Sequence, residues 1–455
     1  MMKSVIICDM EGIILTLNKG AEEMFGYSSL ELVGKKRVSI FSPGEIVLQN
    51  VFGWLKQANK NGSYQTKTNF LKKDGTFFNA KITITPNFSN GKNNPQTGYC
   101  GITEIIDEKV KVPIKFTTKI IKFVAITRAG FTSASLFPVL IAASYFAGIG
   151  DNLFNPLSLI FTLIGIFSLQ LFSNLYNDFF DVQDGTDGLN DDYFNVGMND
   201  PILEGAQLSG GSRAIELGLI TLKKTKYLAN IMLICSLASA MVILLLSYLN
   251  TNSYENAIYV SIIAVIGISL GYLYTAKPLK LSARNGLGEL TIFLTFGPLL
   301  TLGTGFAIST ETISLFSNEF YNLFFLGIPV GLLTTNILFI NQFPDYKSDK
   351  LAGKNNLVVL FGKKSARWIY FIFLVLAYTF MFYFVDILNE NISNFSLTLF
   401  YTFNSILIII GLLIVLHIFR NYDKRSLVRS NINTIYYQMI FSILYIIILN
   451  PFYLN

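Results

Sequence analysis

The chain is poor in charged residues and in the residues that build metal or disulfide sites. Only 14% of its 455 residues are charged, whereas soluble globular proteins average about 25%. Three cysteines, Cys8, Cys100 and Cys235, are too few for a disulfide framework. A single histidine, His417, excludes sites built on several His ligands, such as most zinc enzymes. With 52% hydrophobic residues, the composition indicates a polytopic membrane protein with length to spare for a soluble domain.

The charges that are present divide the chain into three parts. The first 108 residues mix both signs of charge with strand-like alternation and turn signals. From Lys109 onward, charges lie almost only between long apolar runs. We therefore predict an α+β domain over 1–108, a basic linker helix over 109–128 and an all-α membrane domain over 129–455. The N-terminus opens directly into polar sequence, so no cleavable signal peptide is expected.

Nine apolar runs are long enough to cross a bilayer, which needs about 20 mostly apolar residues. They are centred on 131–149, 157–176, 227–249, 257–274, 290–309, 321–340, 368–386, 397–418 and 434–454. With a cytoplasmic N-terminus, every outer loop lacks Lys and Arg, as the positive-inside rule requires. We predict a multi-pass protein of a bacterial or archaeal cytoplasmic membrane, with nine spans and the N-terminal domain in the cytoplasm.

The linker alternates basic and apolar residues. Lys111, Lys115, Lys119 and Lys122 are interleaved with Phe and Ile, a pattern typical of a helix that lies on anionic lipid. A simple contribution to the positive-inside pattern explains the same residues.

Two loops on the predicted cytoplasmic side are rich in acid as well. The first follows span two, where Asn174, Asp178 and Asp181 share one helical face. The second follows span six, where Asn341, Asp345 and Asp349 are each four residues apart. Carboxylates that continue a membrane helix are costly unless a cation neutralises them.

Mg²⁺ fits such a pair of clusters. It prefers oxygen ligands and is usually held by one or two carboxylates together with substrate phosphates. Each cluster could hold one ion with a diphosphate bridging them, so that the charge on a leaving diphosphate is neutralised. The alternative is that these acids are only solvated loop residues. Candidate diphosphate contacts lie in the lead-in and in neighbouring loops, although each could also be a topology determinant: Arg128, Arg213, Lys277, Lys280 and Arg284.

These residues resemble the UbiA superfamily of intramembrane prenyltransferases, over roughly residues 115–455. The first motif runs from Asn177 to Asp187 and is similar to that of the menaquinone branch; Gly185 stands where the ubiquinone branch has Asp, for which Asp187 is a candidate substitute. The second motif, from Asp345 to Leu357, has Asn356 in place of the usual Thr.

The resemblance implies nine helices around a cavity and a role for each motif residue. Asp178 and Asp181, with Asn177 and Asp187, would bind one Mg²⁺. Asp345 and Asp349, assisted by Asn341, would bind the other. The diphosphate would be held by basic residues, namely Arg128, Arg213, Lys277 and Lys280.

The implied reaction transfers a polyprenyl chain from polyprenyl diphosphate to an aromatic acceptor. The branch suggests 1,4-dihydroxy-2-naphthoate as acceptor, which would lose CO₂ on prenylation in menaquinone biosynthesis. Another aromatic or lipid acceptor stays open, because nothing in the sequence recognises a naphthoate directly.

The first 108 residues resemble a PAS domain. Strands are predicted at 5–9, 13–18, 64–71, 77–85 and 98–106, with helices near 21–25 and 29–32 and a hairpin turn at Asp74-Gly75. The absence of His there argues against a His-ligated haem, and Cys8 and Cys100 are expected to be packed thiols. The domain's ligand is unknown; the resemblance allows sensing, homodimerisation or a scaffold role. No nucleic acid partner is expected.

Two other functional classes fit the sequence less well. A transporter would carry its acids near the bilayer midplane, whereas these lie at helix ends. A membrane-tethered sensor would need only one or two spans, and no kinase or cyclase segment follows the N-terminal domain. A metal-dependent membrane transferase therefore remains the leading prediction.

Overall fold

The computed structural model describes residues 3–89, 91, 94–150, 152–183, 214–215, 218–387 and 394–449. The chain divides into two compact units. Unit 1 comprises Met1–Ala129 together with Ser212–Thr225, and unit 2 comprises Gly130–Gly211 together with Lys226–Asn455.

Unit 1 contains a five-stranded antiparallel sheet. Its strands are β1 (Lys3–Asp9), β2 (Ile14–Leu17), β3 (Tyr64–Leu71), β4 (Phe77–Asn87) and β5 (Gly98–Ile105). The order across the sheet is β2-β1-β5-β4-β3, so the first and last strands of the domain pair at its centre. Ile7 faces Cys100 in that central pair.

Short helices cover one face of this sheet. They are α1 (Lys19–Phe25), α2 (Ser29–Leu32), α3 (Gly44–Ile46) and α4 (Phe52–Asn61). A 3₁₀ turn precedes α3 at Val38–Phe41, and a π-helical turn joins α3 to α4. Asn18 caps α1 by accepting a hydrogen bond from the Ala21 N–H. Burial of Phe25 against the aromatic rings of Phe41 and Phe70 stabilises the packing.

All the strands and the two helices predicted for this domain are therefore present, within a few residues. The predicted linker helix begins later than expected: α5 covers Phe116–Thr127 and leaves Lys111 outside it. Its Lys122 forms an ion pair with Glu45 of α3, with 2.9 Å between Nζ and Oε1.

Unit 2 is helical. Its helices are α6 (Ser133–Ile149), α7 (Pro156–Gln183), α8 (Leu222–Thr251, which begins in unit 1), α9 (Glu255–Leu273), α10 (Leu287–Thr295), α11 (Pro298–Ile308), α12 (Asn318–Leu351), α13 (Leu357–Phe361), α14 (Lys363–Ile387), α15 (Asn394–Asn421) and α16 (Val428–Leu449). Nine spans long and apolar enough to cross a membrane occur within the described residues, which agrees with the sequence prediction. Of these nine spans, α12 is the most buried, with 83% of its most apolar stretch inside the structure.

The fifth span is broken, which the sequence did not predict. It consists of α10 and α11, which meet at Gly297 before Pro298. A Cβ at Gly297 would lie 2.6 Å from the carbonyl oxygen of Gly327 and 2.8 Å from the Cα of Gly331. The break therefore lets the backbones of α11 and α12 touch, as small residues allow between membrane helices.

Candidate functional site

The first acidic motif lies on an uninterrupted extension of α7. No Gly or Pro occurs between Ile166 and Gln183, so the helix continues past the apolar run. Asp178 is buried, and Asp181 is half-buried one turn later. Asn177 is fixed from the neighbouring loop, because Thr275 Oγ1 donates a hydrogen bond of 2.9 Å to its Oδ1.

The second motif lies on the corresponding extension of α12. The Oδ1 of Asn341 accepts a 2.7 Å hydrogen bond from Asn431 Nδ2 of α16. Asp345 follows one turn later and is half-buried. Asp349 is only 9% exposed, and its Oδ2 accepts a 2.8 Å hydrogen bond from Asn356 Nδ2.

One lysine joins the two motifs. The ammonium nitrogen of Lys354 lies 3.3 Å from Asp181 Oδ1 and 4.0 Å from Asp349 Oδ1. Its backbone N–H donates a 2.8 Å hydrogen bond to the Asp349 carbonyl oxygen, which turns the chain back toward the helix end. The structure therefore brings carboxylates of both motifs around a single positive charge.

The electrostatics show that this position favours a cation. Burial alone would lower the pKa of Lys354, but the carboxylates of Asp181 and Asp349 outweigh that penalty and raise it above its ordinary value of 10.5. Lys354 is therefore charged at neutral pH, and loses this pairing only as the pH rises through the raised pKa.

The donor set fits Mg²⁺ by its chemistry. Carboxylate and amide oxygens of Asp178, Asp181, Asp345 and Asp349, with Asn177 and Asn341, are the hard ligands that Mg²⁺ prefers. No three His, Cys, Asp or Glu side chains cluster closely enough to bind a metal alone, as far as the described residues go. Further oxygens would have to come from water or substrate phosphates, as is usual for Mg²⁺. Asp187 and Arg213 lie outside the described residues.

A buried glutamate supports the loop that carries Lys354. Glu289 of α10 is 3% exposed, and its Oε1 accepts a 2.8 Å hydrogen bond from the Leu357 N–H. Asn356 accepts another from the Val359 N–H, so the two side chains satisfy N–H groups that a helix N-terminus leaves unpaired. The sequence motifs alone predict no role for Lys354, Asn356 or Glu289.

Replacing Glu289 by Ala should destabilise the protein. The Leu357 N–H would lose its acceptor, a loss of about 1–3 kcal/mol in the free energy of unfolding for a buried donor. Thermal or denaturant unfolding in detergent measures this change. Glu289→Gln is the control because it keeps the Oε1 acceptor; equal stability of the Ala and Gln variants would contradict the assignment.

An apolar cavity of about 250 Å³ adjoins the first motif. Its wall includes Gln170, Asn174 and Asn177 on one face of α7, while the remaining lining comes mainly from apolar side chains of α8, α9, α10 and α11. Gly267 of α9 also lies in the wall. The cavity therefore offers an apolar chain a compartment whose wall includes Asn177, the residue next to Asp178.

The predicted basic contacts occupy different places. Lys277 is exposed and Lys280 half-buried in the turn between α9 and α10. Arg284, in the same turn, donates hydrogen bonds to the carbonyl oxygens of Leu279 and Pro278, so its guanidinium helps to hold the turn. Arg128 ends α5 in unit 1 with a φ of 54°.

Unit 1 has a cavity of its own, of about 120 Å³, between the sheet and the helices. Cys8, Trp54 and Tyr99 contribute to its wall. Burial raises the pKa of the Cys8 thiol to about 11 and also raises that of Cys100. Both thiols are therefore protonated at neutral pH, as expected for packed cysteines.

Both the N-terminal domain and the helical domain match known protein families. The profile of the UbiA prenyltransferase family matches residues 135–440, and that of the PAS domain matches residues 2–105. A Dictyostelium discoideum protein named UbiA prenyltransferase domain-containing protein 1 is 26% identical over 293 residues, which are 64% of this chain and 78% of that protein.

A 1,4-dihydroxy-2-naphthoate octaprenyltransferase of Haemophilus influenzae is 27% identical over 214 residues, which are 47% of this chain and 60% of that enzyme. Among solved structures, a UbiA homologue from Archaeoglobus fulgidus bound to GPP and Mg²⁺ is 17% identical with a TM-score of 0.45. The match covers 71% of this chain and 99% of that one.

Proposed function

Since the chain belongs to the UbiA prenyltransferase family and is therefore a transferase, we propose that it catalyses Mg²⁺-dependent transfer of a polyprenyl chain from its diphosphate to 1,4-dihydroxy-2-naphthoate. The observation that carries this proposal is the meeting of Asp181 and Asp349 at Lys354. Two acidic helix ends that meet, with an apolar cavity beside Asn177 of the first, suit a diphosphate with a long apolar tail.

The acidic residues would hold the metal. Asp178 and Asp181 with Asn177, and Asp345 and Asp349 with Asn341, supply its oxygen ligands. When bound there, Mg²⁺ neutralises the charge that develops on the departing diphosphate. Thr275 and Asn431 fix the two Asn side chains in place, as outer partners of metal ligands commonly do.

Other groups of the protein would bind the diphosphate and the prenyl tail. The Lys354 ammonium is placed to pair with the diphosphate, because a lysine binds phosphate as a point charge. The cavity beside Asn177 receives the tail and keeps water away from the allylic carbon. The electron-rich ring then bonds to that carbon as the C–O bond to the diphosphate breaks, and the acceptor releases CO₂.

The size of the cavity should limit the length of the tail. A Cβ at Gly267 would meet no described atom within 4 Å, so Gly267→Leu would project into open space of the cavity. We expect kcat/KM for a long polyprenyl diphosphate to fall at least about tenfold relative to geranyl diphosphate. Product analysis with both donors measures this ratio.

The matched control for this prediction is Val265→Leu. Val265 is on the same helix and 64% exposed, and the residues that line the cavity do not include it. An unchanged preference in Gly267→Leu, equal to that of the control, would show that the tail lies elsewhere.

The names of the naphthoate octaprenyltransferase relatives support the choice of acceptor. The test is incubation of the purified protein with Mg²⁺, a polyprenyl diphosphate and a panel of aromatic acceptors, followed by mass spectrometry. The expected product is the prenylated, decarboxylated naphthoate, and its formation should stop when EDTA is added. A product on another acceptor, with none on the naphthoate, would overturn the acceptor assignment.

The basic residues of the loops support an orientation with the acidic motifs and the N-terminal PAS domain in the cytoplasm. In this arrangement both substrates would reach the site from the cytoplasmic side of a bacterial or archaeal membrane. The PAS domain would then regulate transfer or form a homodimer from the same compartment.

A further inference from the structure

The N-terminal domain holds a stretch of chain that lies more than a hundred residues downstream. Residues 218–221, called here the docked segment, belong to unit 1 with the PAS domain. They pack against residues 39–49 of that domain, called here the 39–49 segment. Within the docked segment, Leu219 is only 5% exposed.

The contact is made by backbone against backbone. A Cβ at Gly44 would lie 2.8 Å from both the Cα and the carbonyl oxygen of Leu219. A Cβ at Gly218, whose φ is +71°, would lie 3.0 Å from the Cα of Ile40. Two glycines, one on each side, therefore allow an approach that any side chain would prevent.

The 39–49 segment also holds the helix that leads into the first span. Glu45 pairs with Lys122 of α5. The Gln49 side chain accepts hydrogen bonds from the Lys115 N–H and Thr118 Oγ1 and donates one to the Pro113 carbonyl oxygen. One short segment of the PAS domain thus fixes the chain before span one and before span three.

The docked segment leads directly into α8, whose residues from Lys226 onward contact the end of α7. Thr221 Oγ1 accepts a hydrogen bond from the Lys224 N–H, as a capping residue does. Further along, Lys226 lies over the ring of Phe179 at 5.8 Å, and Tyr176 donates a 2.9 Å hydrogen bond to Asn230. The two aromatic residues flank Asn177 and Asp178 in α7.

We infer that the 39–49 segment is the surface through which the PAS domain acts on the prenyl-transfer site. By anchoring the docked segment it fixes the start of α8, and α8 holds the end of α7 in the arrangement that binds metal and diphosphate. The coupling needs only the stiffness of one helix over about two turns. This inference rests on the proposed function for its catalytic readout.

The test compares Gly44→Ala with Gly53→Ala in the full-length protein. Gly53 is also helical, and a Cβ there would meet no described atom within 4 Å, so its replacement is the matched control. In Gly44→Ala the new methyl group must push the docked segment away. We expect amide hydrogen exchange over residues 218–225 to become roughly tenfold faster, and KM for polyprenyl diphosphate to rise about 3–10-fold with a smaller change in kcat.

Exchange in β1, β4 and β5 should stay as in the wild type, which shows that the PAS fold is intact. Leu219→Ala, on the opposite side of the contact, should change exchange and KM in the same direction. Faster exchange at 218–225 with unchanged or improved kinetics in both variants would overturn the inference. Unchanged exchange in both would overturn it too, because the contact would then hold nothing.

A second readout separates this inference from the proposed function. Mg²⁺ with inorganic pyrophosphate should raise the thermal unfolding midpoint of the wild type and of Gly53→Ala. The same rise in Gly44→Ala should require about 3–10-fold higher ligand concentrations. This result can be obtained even if the naphthoate is not the acceptor. Equal concentration dependence in all three proteins would count against the coupling and leave the prenyl-transfer proposal untouched.

Discussion

We expect prenyl transfer to fall by at least about a hundredfold when Asp181 is replaced by Asn. Even mutation of a residue that only hydrogen-bonds a metal ligand commonly lowers metal affinity or activity 10–100-fold. The replacement removes the negative charge of the Asp181 carboxylate, which lies beside the Lys354 ammonium. It keeps an amide oxygen, which can still accept the hydrogen bond that Lys354 now gives to Asp181. Folding should therefore survive while metal and diphosphate binding fail. Turnover of purified protein, with its unfolding midpoint measured in parallel, tests this expectation.

Asp345→Asn should have the same effect, since it removes the corresponding charge from the second motif. Asp386→Asn is the control: it also removes one carboxylate, but Asp386 is exposed and lies at the far end of α14 from Lys363. Substantial turnover in Asp181→Asn and Asp345→Asn at ordinary Mg²⁺ concentrations would remove the metal assignment.

The spans and the acidic motifs could be predicted because each depends on local sequence. An apolar run of about 20 residues must form a helix in lipid, where no water satisfies the backbone. Acids four residues apart on such a helix must share a face. The juxtaposition of Asp181 and Asp349 followed from placing both motifs on the same side of the membrane, and the structure shows their carboxylates around one ammonium group.

Features that depend on contacts between distant segments could not be predicted in this way. At Gly297 the backbone of the broken span contacts that of α12, and a lone Gly-Pro pair within an apolar run does not reveal that contact. Nothing in the sequence around Glu289 predicts that its side chain is buried and accepts a hydrogen bond from the Leu357 N–H. The docked segment has no sequence pattern that predicts its contact. The contact depends on Gly218 and Gly44, which are far apart in the sequence and meet only in the folded domain.

Lys354 illustrates the same limit, because its role depends on which carboxylates surround it. In the motif it reads as one of many basic loop residues, whereas in the structure it supplies the positive charge between Asp181 and Asp349. A divalent cation bound to these carboxylates would therefore compete with the Lys354 ammonium for the same oxygens. With a divalent cation held by these carboxylates, the Lys354 ammonium would be available to pair with the diphosphate.

Replacing Lys354 by Met should separate these two roles. Without divalent cations the variant should unfold at a lower temperature than the wild type, because two partly buried carboxylates face each other without a counter-charge. Mg²⁺ alone should then raise its unfolding midpoint by more than it raises that of the wild type, since no ammonium competes for the oxygens. KM for polyprenyl diphosphate should rise about tenfold, the loss of one charge-assisted contact worth about 1.5 kcal/mol.

Lys350→Met is the matched control for this substitution. Lys350 is exposed on the same helix end, with its ammonium 5.9 Å from the ring of Tyr346, so its loss removes the same charge without touching Asp181 or Asp349. The control should show the wild-type response to Mg²⁺ and the wild-type KM. An equal Mg²⁺ response in Lys354→Met and the wild type would mean that metal and ammonium do not share their oxygens, whereas a wild-type KM would mean that the ammonium never reaches the diphosphate.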